Sequence, residues 1–184
     1  MKRFLPVCIA FLAGCSLAVF AQDSAKPDSK MSDSKMSAST MTSKSDSKFA
    51  MEAAGGGMAE VKLGELAQEK GSSQFVKDFG KKMVDDHSKA NDDLKSIAAK
   101  NNITLPSDMP PKHQALYDQL SKLSGDEFDK AYLAAMLKDH KKDVAAFQKE
   151  STNGKNPDLK EFASKTLPVI QGHLQMLQSQ KMTS

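Results

Sequence analysis

"FVKDFGKKMVDDH", residues 75–87, and "FDKAYLAAMLKDH", residues 128–140, decide the fold of this 184-residue chain. They match at a constant offset of 53 residues: an aromatic residue, a second aromatic four positions later, then methionine, then Asp-His. Apolar side chains that recur every four residues lie on one face of an α-helix, and in both stretches a histidine takes the next position of that face. The repeat therefore predicts two related helices whose core faces carry His87 and His140.

The rest of the chain from residue 49 onward also predicts helices. Ala, Leu, Lys, Gln, Glu and Met dominate this region, and the alternating pattern typical of strands does not occur. Turns rich in glycine, proline, serine and asparagine divide it into predicted helices over residues 49–70, 74–100, 112–123, 124–150 and 158–180. The fold class is therefore predicted to be all-α.

Local signals predict how these helices begin and where they weaken. "GGG" at residues 55–57 is expected to loosen the first helix, and Ser72 or Ser73 to cap the second. Ser124 and Glu127 have the spacing of a capping box and are expected to open the fourth helix.

The connection over residues 101–124 is long enough to cross a whole bundle and carries the short helix. Four long helices with one such crossover have the plan of a ferritin-like up-down bundle. About 135 residues suffice for one domain with a hydrophobic core, so residues 49–184 are predicted to form a single bundle domain.

Four side chains are candidate metal ligands because their heights in such a bundle agree. If the second and fourth helices run parallel, His87 and His140 lie at one level, about 22 Å from the start of each helix. His173 on the last helix and Glu60 on the first fall within about one turn of that level. Glu65 shares the apolar arc of the first helix but lies about 9 Å from its end, well above the histidines.

One carboxylate and three imidazoles are a reasonable ligand set for Zn²⁺, Mn²⁺, iron or copper. The alternative is a metal-free core in which each histidine is hydrogen bonded.

Asp86 and Asp139, which precede the two repeated histidines, point about 100° away from them and are expected to support the site, to cap a helix, or to face the surface. His113 is expected to be a surface or packing residue. Pro168 is expected to kink the last helix just before His173.

Residues 1–21 are predicted to be an export signal, because a short basic start precedes an interrupted apolar stretch. Two processing sites remain open: cleavage after Ala21, which we prefer, or lipidation of Cys15 in "LAGC". Cys8 and Cys15 are the only cysteines, so the exported domain is expected to lack disulfides. We expect a periplasmic or envelope location, with an outer-membrane lipoprotein as the alternative and no membrane span.

Residues 22–48 are predicted to be a disordered tether, because repeats of "DSK" and Ser, Lys and Met offer little apolar surface. Its methionines, Met31, Met36 and Met41, recur every five residues and are kept as an alternative Cu(I) site, since thioether sulfur suits that ion.

Charge argues against nucleic acid as a partner. Removing Lys2 and Arg3 with the signal lowers the formal net charge from +3 to +1 and leaves no arginine in the exported chain. The remaining lysines are interspersed with acidic residues and form no patch, so nucleic-acid binding is not expected.

Four longer stretches carry a family resemblance: "GGMAEVKLGELA", "KDFGKKMVDDHSKANDDLKSIAAKN", "LSKLSGDEFDKAYLAAMLKDHKKDVAAFQKE" and "NPDLKEFASKTLPVIQGHLQM". Together they resemble the exported bacterial ferritin-like family known as domain of unknown function 4142. The resemblance implies a ferritin-like bundle and an envelope location, but no established activity. The positions that match its motifs are Glu60, His87, His140 and His173.

The chain departs from di-iron ferritins, which place a Glu-x-x-His pair on each of two helices. Val84 and Leu137 stand three residues before His87 and His140, and neither can bind a metal. The leading hypothesis is an exported, non-enzymatic bundle that binds a transition metal or small ligand in envelope homeostasis or stress tolerance. The alternative is a metal-free structural or interaction module in the periplasm, and a di-metal redox enzyme would need more carboxylates.

Overall fold

The computed structural model describes residues 42–183 as five α-helices. They are α1 (Lys44–Lys70), α2 (Gln74–Lys100), α3 (Pro111–Leu120), α4 (Gly125–Asn153) and α5 (Pro157–Thr183). No strand occurs among the described residues, and the all-α class predicted from the sequence is confirmed. The predicted signal, both of its processing sites and the three tether methionines lie outside the described residues.

The four long helices form two hairpins, α1 with α2 and α4 with α5, and the hairpins meet through α1 with α4 and α2 with α5. The backbone N–H groups of Ser72 and Ser73 donate to the Asp129 carboxylate at 2.9 and 2.8 Å. The starts of α2 and α4 therefore share one end of the bundle, and these two helices run parallel. The connection returns the chain to that end and places α3 against α1 and α4, so the four-helix bundle with a crossover is confirmed.

At the opposite end, Asp46 fixes the start of α1 against the turn between α4 and α5. Its carboxylate accepts the backbone N–H groups of Lys155 at 3.1 Å and Asn156 at 2.9 Å, and it forms a capping box with Ser43. α1 consequently begins at Lys44, five residues before the predicted start. Residues 44–48 therefore belong to the bundle and not to the tether. The sequence analysis missed this because it relied on composition, which does not show the cap.

The predicted cap at Ser73 is present, since its hydroxyl accepts the Val76 N–H at 3.3 Å. The predicted capping box at Ser124 is wrong, because the Ser124 side chain makes no capping hydrogen bond. Ser124 does precede α4 directly, as predicted. Gly125, the first residue of α4, has a φ of +60°, a left-handed conformation that favours glycine.

The glycines of α1 permit close packing and do not interrupt the helix, contrary to the expectation for "GGG". A Cβ atom on Gly55 would stand 2.6 Å from a ring carbon of Pro110 in the crossover. Gly64 and Gly80 bring α1 and α2 into backbone contact, since a Cβ on Gly64 would lie 2.6 Å from the Gly80 carbonyl oxygen.

Two apolar clusters fill the core and leave a polar layer between them. The cluster nearer the starts of α2 and α4 includes Phe79, Met83, Tyr132 and Met136. The cluster at the other end includes residues from both hairpins: Phe49, Leu94, Phe147, Phe162 and Ile170. The predicted histidine level lies where the two clusters meet. Within residues 42–183 none of the helices is both long and apolar enough to cross a bilayer.

We expect Gly64→Ala to destabilise the bundle by about 1–2 kcal/mol, because the added methyl group meets a backbone oxygen that cannot move alone. Gly56→Ala is the matched control: nothing lies within 4 Å of a Cβ there, so helix propensity should raise stability by about 0.5–1 kcal/mol. Urea unfolding of both variants measures the difference, and equal stability of the two would contradict the close contact.

Candidate metal centre

Three histidines from three helices meet in the polar layer. The ring centroids of His87, His140 and His173 lie 5.4 to 5.9 Å apart. One ring nitrogen of each lies within 4.8 Å of the other two. His140 and His173 have no exposed surface and His87 is 7% exposed, so this cluster is shielded from bulk water.

Each histidine uses its outer nitrogen for a contact with an oxygen atom. Nδ1 of His140 lies 3.0 Å from the Met136 carbonyl oxygen, and Nε2 of His173 lies 2.8 Å from Asp86 Oδ2. Nδ1 of His87 lies 2.9 Å from Glu60 Oε2. A carbonyl oxygen only accepts, so Nδ1 of His140 must carry the proton of that ring.

The Asp86 carboxylate fixes the proton of His173 in the same way. Burial alone would raise the pKa of Asp86, but hydrogen bonds from Lys82 and His173 hold that pKa below its usual value. Asp86 is therefore ionised at neutral pH and accepts the proton on Nε2 of His173. Asp86 precedes His87 in the sequence, yet it supports the histidine of another helix.

The inner nitrogens of His140 and His173 consequently face each other as lone pairs. Nε2 of His140 and Nδ1 of His173 are 3.3 Å apart, and neither carries a proton to share. Nε2 of His87 is buried and has no hydrogen-bond partner among the described residues. Burial lowers the pKa of His87 to about 4, and burial likewise lowers the pKa values of His140 and His173, so all three rings are neutral at pH 7.

The separation of the His140 and His173 nitrogens suits a tetrahedral ion. Two imidazole nitrogens that each lie about 2.05 Å from a tetrahedrally bound zinc ion are about 3.3 Å apart. The distance between Nε2 of His140 and Nδ1 of His173 has this value. Phe79 packs with its ring centroid 5.9 Å from that of His173 and 6.3 Å from that of His140, which keeps one side of the site apolar.

Glu60 joins the cluster on its outer side. Its Oε2 contacts Nδ1 of His87, and its Oε1 lies 3.7 Å from Nδ1 of His140, so neither oxygen approaches the inner nitrogens of these two rings. The four predicted ligands are thus brought together, with the histidines facing inward and Glu60 behind two of them. Direct ligation by Glu60 remains a prediction.

Asp143 completes a second group that the sequence analysis missed. Its carboxyl lies beside Glu60, and ligand atoms of Glu60, His140 and Asp143 lie within 4.8 Å of one another. Burial and the neighbouring Glu60 raise the pKa of Asp143 to about 9, while burial raises that of Glu60 to about 7. The available signal was its position three residues after His140, on the same helical face; the first copy of the repeat has Ala90 there.

The remaining sequence candidates lie elsewhere. Asp139 is half-buried and lies 3.9 Å from Lys142 Nζ, and Glu65 is exposed and pairs with Lys62 at 3.0 Å. His113 is buried on α3, consistent with packing. α5 continues as helix on both sides of Pro168.

Comparison with known proteins places this fold in a family. The family described as Domain of unknown function (DUF4142) matches residues 31–179. The chain belongs to this family. Its structure is also similar to the crystal structure of a DUF305 fragment from Deinococcus radiodurans, with a TM-score of 0.66 and 12% identity over 75% of this chain and 95% of that one. At this identity the likeness shows a shared helical fold alone. No curated protein matches the sequence.

Asp143 gives this DUF4142 protein a testable dependence of stability on pH. Between pH 7 and about pH 9 the unfolded chain carries an ionised Asp143, whereas the folded chain keeps the proton. The folded state therefore binds more protons, and the free energy of unfolding should fall as the pH rises through this range. In Asp143→Asn this fall should be much smaller. Urea unfolding at several pH values, with chelator present, measures it.

The exposed Asp92, which pairs with Lys95, provides the control. Asp92→Asn should keep the slope of the wild type between pH 7 and pH 9. Identical slopes for Asp143→Asn and the wild type would show that the Asp143 carboxyl is ionised in the folded protein, contrary to its buried position.

Proposed function

We propose that this DUF4142 domain binds one transition-metal ion through the inner nitrogens of His87, His140 and His173. The supporting observation is that three buried, neutral imidazoles meet here and that the facing nitrogens of His140 and His173 are both unprotonated. A buried acceptor without a partner costs about 1–3 kcal/mol, and a cation between the three rings would satisfy them all at once. In a metal-free core a water molecule would have to replace the cation, and its two protons would be the only donors for these nitrogens, which makes the structural-module alternative the weaker one.

The chemistry of the ligands narrows the metals. Neutral imidazole suits zinc, copper and iron, whereas Mn²⁺ prefers oxygen ligands, so the first three fit this nitrogen set best. Glu60, Asp86 and the Met136 carbonyl would then orient the rings from behind, as groups that accept the far N–H of a ligating histidine do. Three protein ligands leave one tetrahedral position for water.

An organic ligand fits this centre poorly. The internal cavity beside Glu60 and His87 has a volume of about 20 Å³, enough for one water molecule or a bare ion. The earlier hypothesis of a metal or a small ligand thus narrows to an ion. We propose binding without catalysis as the role.

The proposed place of action is the cell envelope. It is supported by the export signal predicted in residues 1–21 and by the confinement of both cysteines to the first 15 residues. A metal-binding domain exported to the periplasm would serve metal homeostasis or tolerance of metal stress there.

Equilibrium dialysis of the purified protein against Zn²⁺ and Cu²⁺ tests the proposal. We expect one ion per chain. Asp86→Asn and Glu60→Gln should each weaken binding by about 10–100-fold, because they remove a group that orients a ligand. Alanine at His87, His140 or His173 should weaken it more, because each removes a direct nitrogen ligand.

His113→Ala is the matched control, since His113 is buried outside the cluster. Its affinity should equal that of the wild type, and circular dichroism should show helical folding for every variant. A wild-type protein that binds no ion, or three histidine variants that bind as tightly as the wild type, would contradict the proposal.

A further inference from the structure

Two surface clefts lead toward the buried centre. One, of about 210 Å³, lies between α1, α3 and α4 and is called here the α1–α4 cleft; its polar lining includes Glu52, His113, Asp139 and Asp143. The other, of about 610 Å³, lies between α1, α2 and the crossover and is called the α1–α2 cleft. A third cleft, of about 330 Å³, lies between α2 and α5 and shares Phe162 and Thr166 with the internal cavity beside Glu60 and His87.

The internal cavity beside Glu60 and His87 adjoins the α1–α4 cleft more extensively. The two share four lining residues: Ala53, Gly56, Asp143 and Phe147. The cavity shares only Asn91 with the α1–α2 cleft. The most extensive connection therefore runs between α1 and α4.

Two neighbouring glycines of α1 differ in the free space beside them. Nothing lies within 4 Å of a Cβ atom built on Gly56, which lines both the α1–α4 cleft and the internal cavity. A Cβ on Gly57 would instead stand 2.1 Å from Asn91 Oδ1, so the Asn91 side chain occupies the space on that side. The passage beside Gly56 has no such obstruction.

Carboxyl oxygen atoms lie between this passage and the histidine nitrogens. Asp143 lines both the cleft and the cavity. Next to it, Glu60 is 4% exposed, and its Oε1 has no hydrogen-bond partner among the described residues. Glu60 in turn contacts His87, whose Nε2 also lacks a partner.

We propose that a transition-metal ion enters through the α1–α4 cleft and is held in transit by the carboxyl groups of Glu60 and Asp143, with release of the Asp143 proton to water, before the three histidines take it. This inference rests on the proposed function. It gives a role to the second ligand group, in which Glu60 and Asp143 lie within reach of His140.

Stopped-flow mixing of the whole protein with Co²⁺, followed by its visible absorption, tests the route. Gly56→Leu should slow association and dissociation by the same factor, at least tenfold, because it narrows the passage and removes no ligand. Asp143→Asn should slow association by a similar factor, because a neutral amide replaces the carboxylate that holds the ion inside the cleft.

Two control variants distinguish an effect on the passage from general effects of added volume or lost charge. Gly172→Leu places the same side chain at another open helical glycine, and Asp92→Asn removes an acid from the α1–α2 cleft. Both variants should bind Co²⁺ at the wild-type rate. If Gly56→Leu fails to fold, Asp143→Asn decides, since it adds no volume.

The outcomes distinguish the route from the function. A wild type that takes up no metal overturns both proposals. Histidine-dependent binding whose rate is unchanged in Gly56→Leu and Asp143→Asn overturns the route alone and leaves the metal centre standing, as does a slower rate in Asp92→Asn alone.

Discussion

The contact between Nε2 of His140 and Nδ1 of His173, 3.3 Å apart and without a proton between them, is the constraint on which the rest of the bundle depends. Polar groups in a core are stable only when they are paired. Each histidine therefore needs an outer partner, and Met136, Asp86 and Glu60 supply these from α4, α2 and α1. The layer thus links all four long helices and sets how they face one another.

The apolar packing accommodates this polar layer. Along α2 the core positions run from Met83 to His87 and on to Leu94, and along α4 from Met136 to His140 and on to Phe147, so each histidine separates two apolar clusters. α2 and α4 run parallel because the crossover returns the chain to the same end, where Asp129 holds the start of α2. The polar layer lies at one level for this reason.

The 53-residue repeat predicted two related helices with inward histidines, and the long crossover predicted that these helices run parallel; helical rise then placed the histidines at one level, because it depends only on counting residues. Which nitrogen of each ring carries the proton and which one faces the centre could not be predicted, since this depends on the oxygen atom that contacts the outer nitrogen. Asp86 illustrates this: it precedes His87 in sequence but contacts His173 on another helix. Asp143 was missed because the repeat does not include it. The early start of α1 was missed because Asp46 is fixed by a turn more than 100 residues later.

The central claim is that three imidazole nitrogens hold one ion. X-ray absorption spectroscopy of the zinc-loaded protein measures this directly, because imidazole ligands give a recognisable scattering pattern beyond the first shell. We expect three imidazole nitrogens at about 2.0–2.1 Å with one further light ligand. A shell of oxygen atoms alone, or one with a single imidazole, would contradict it.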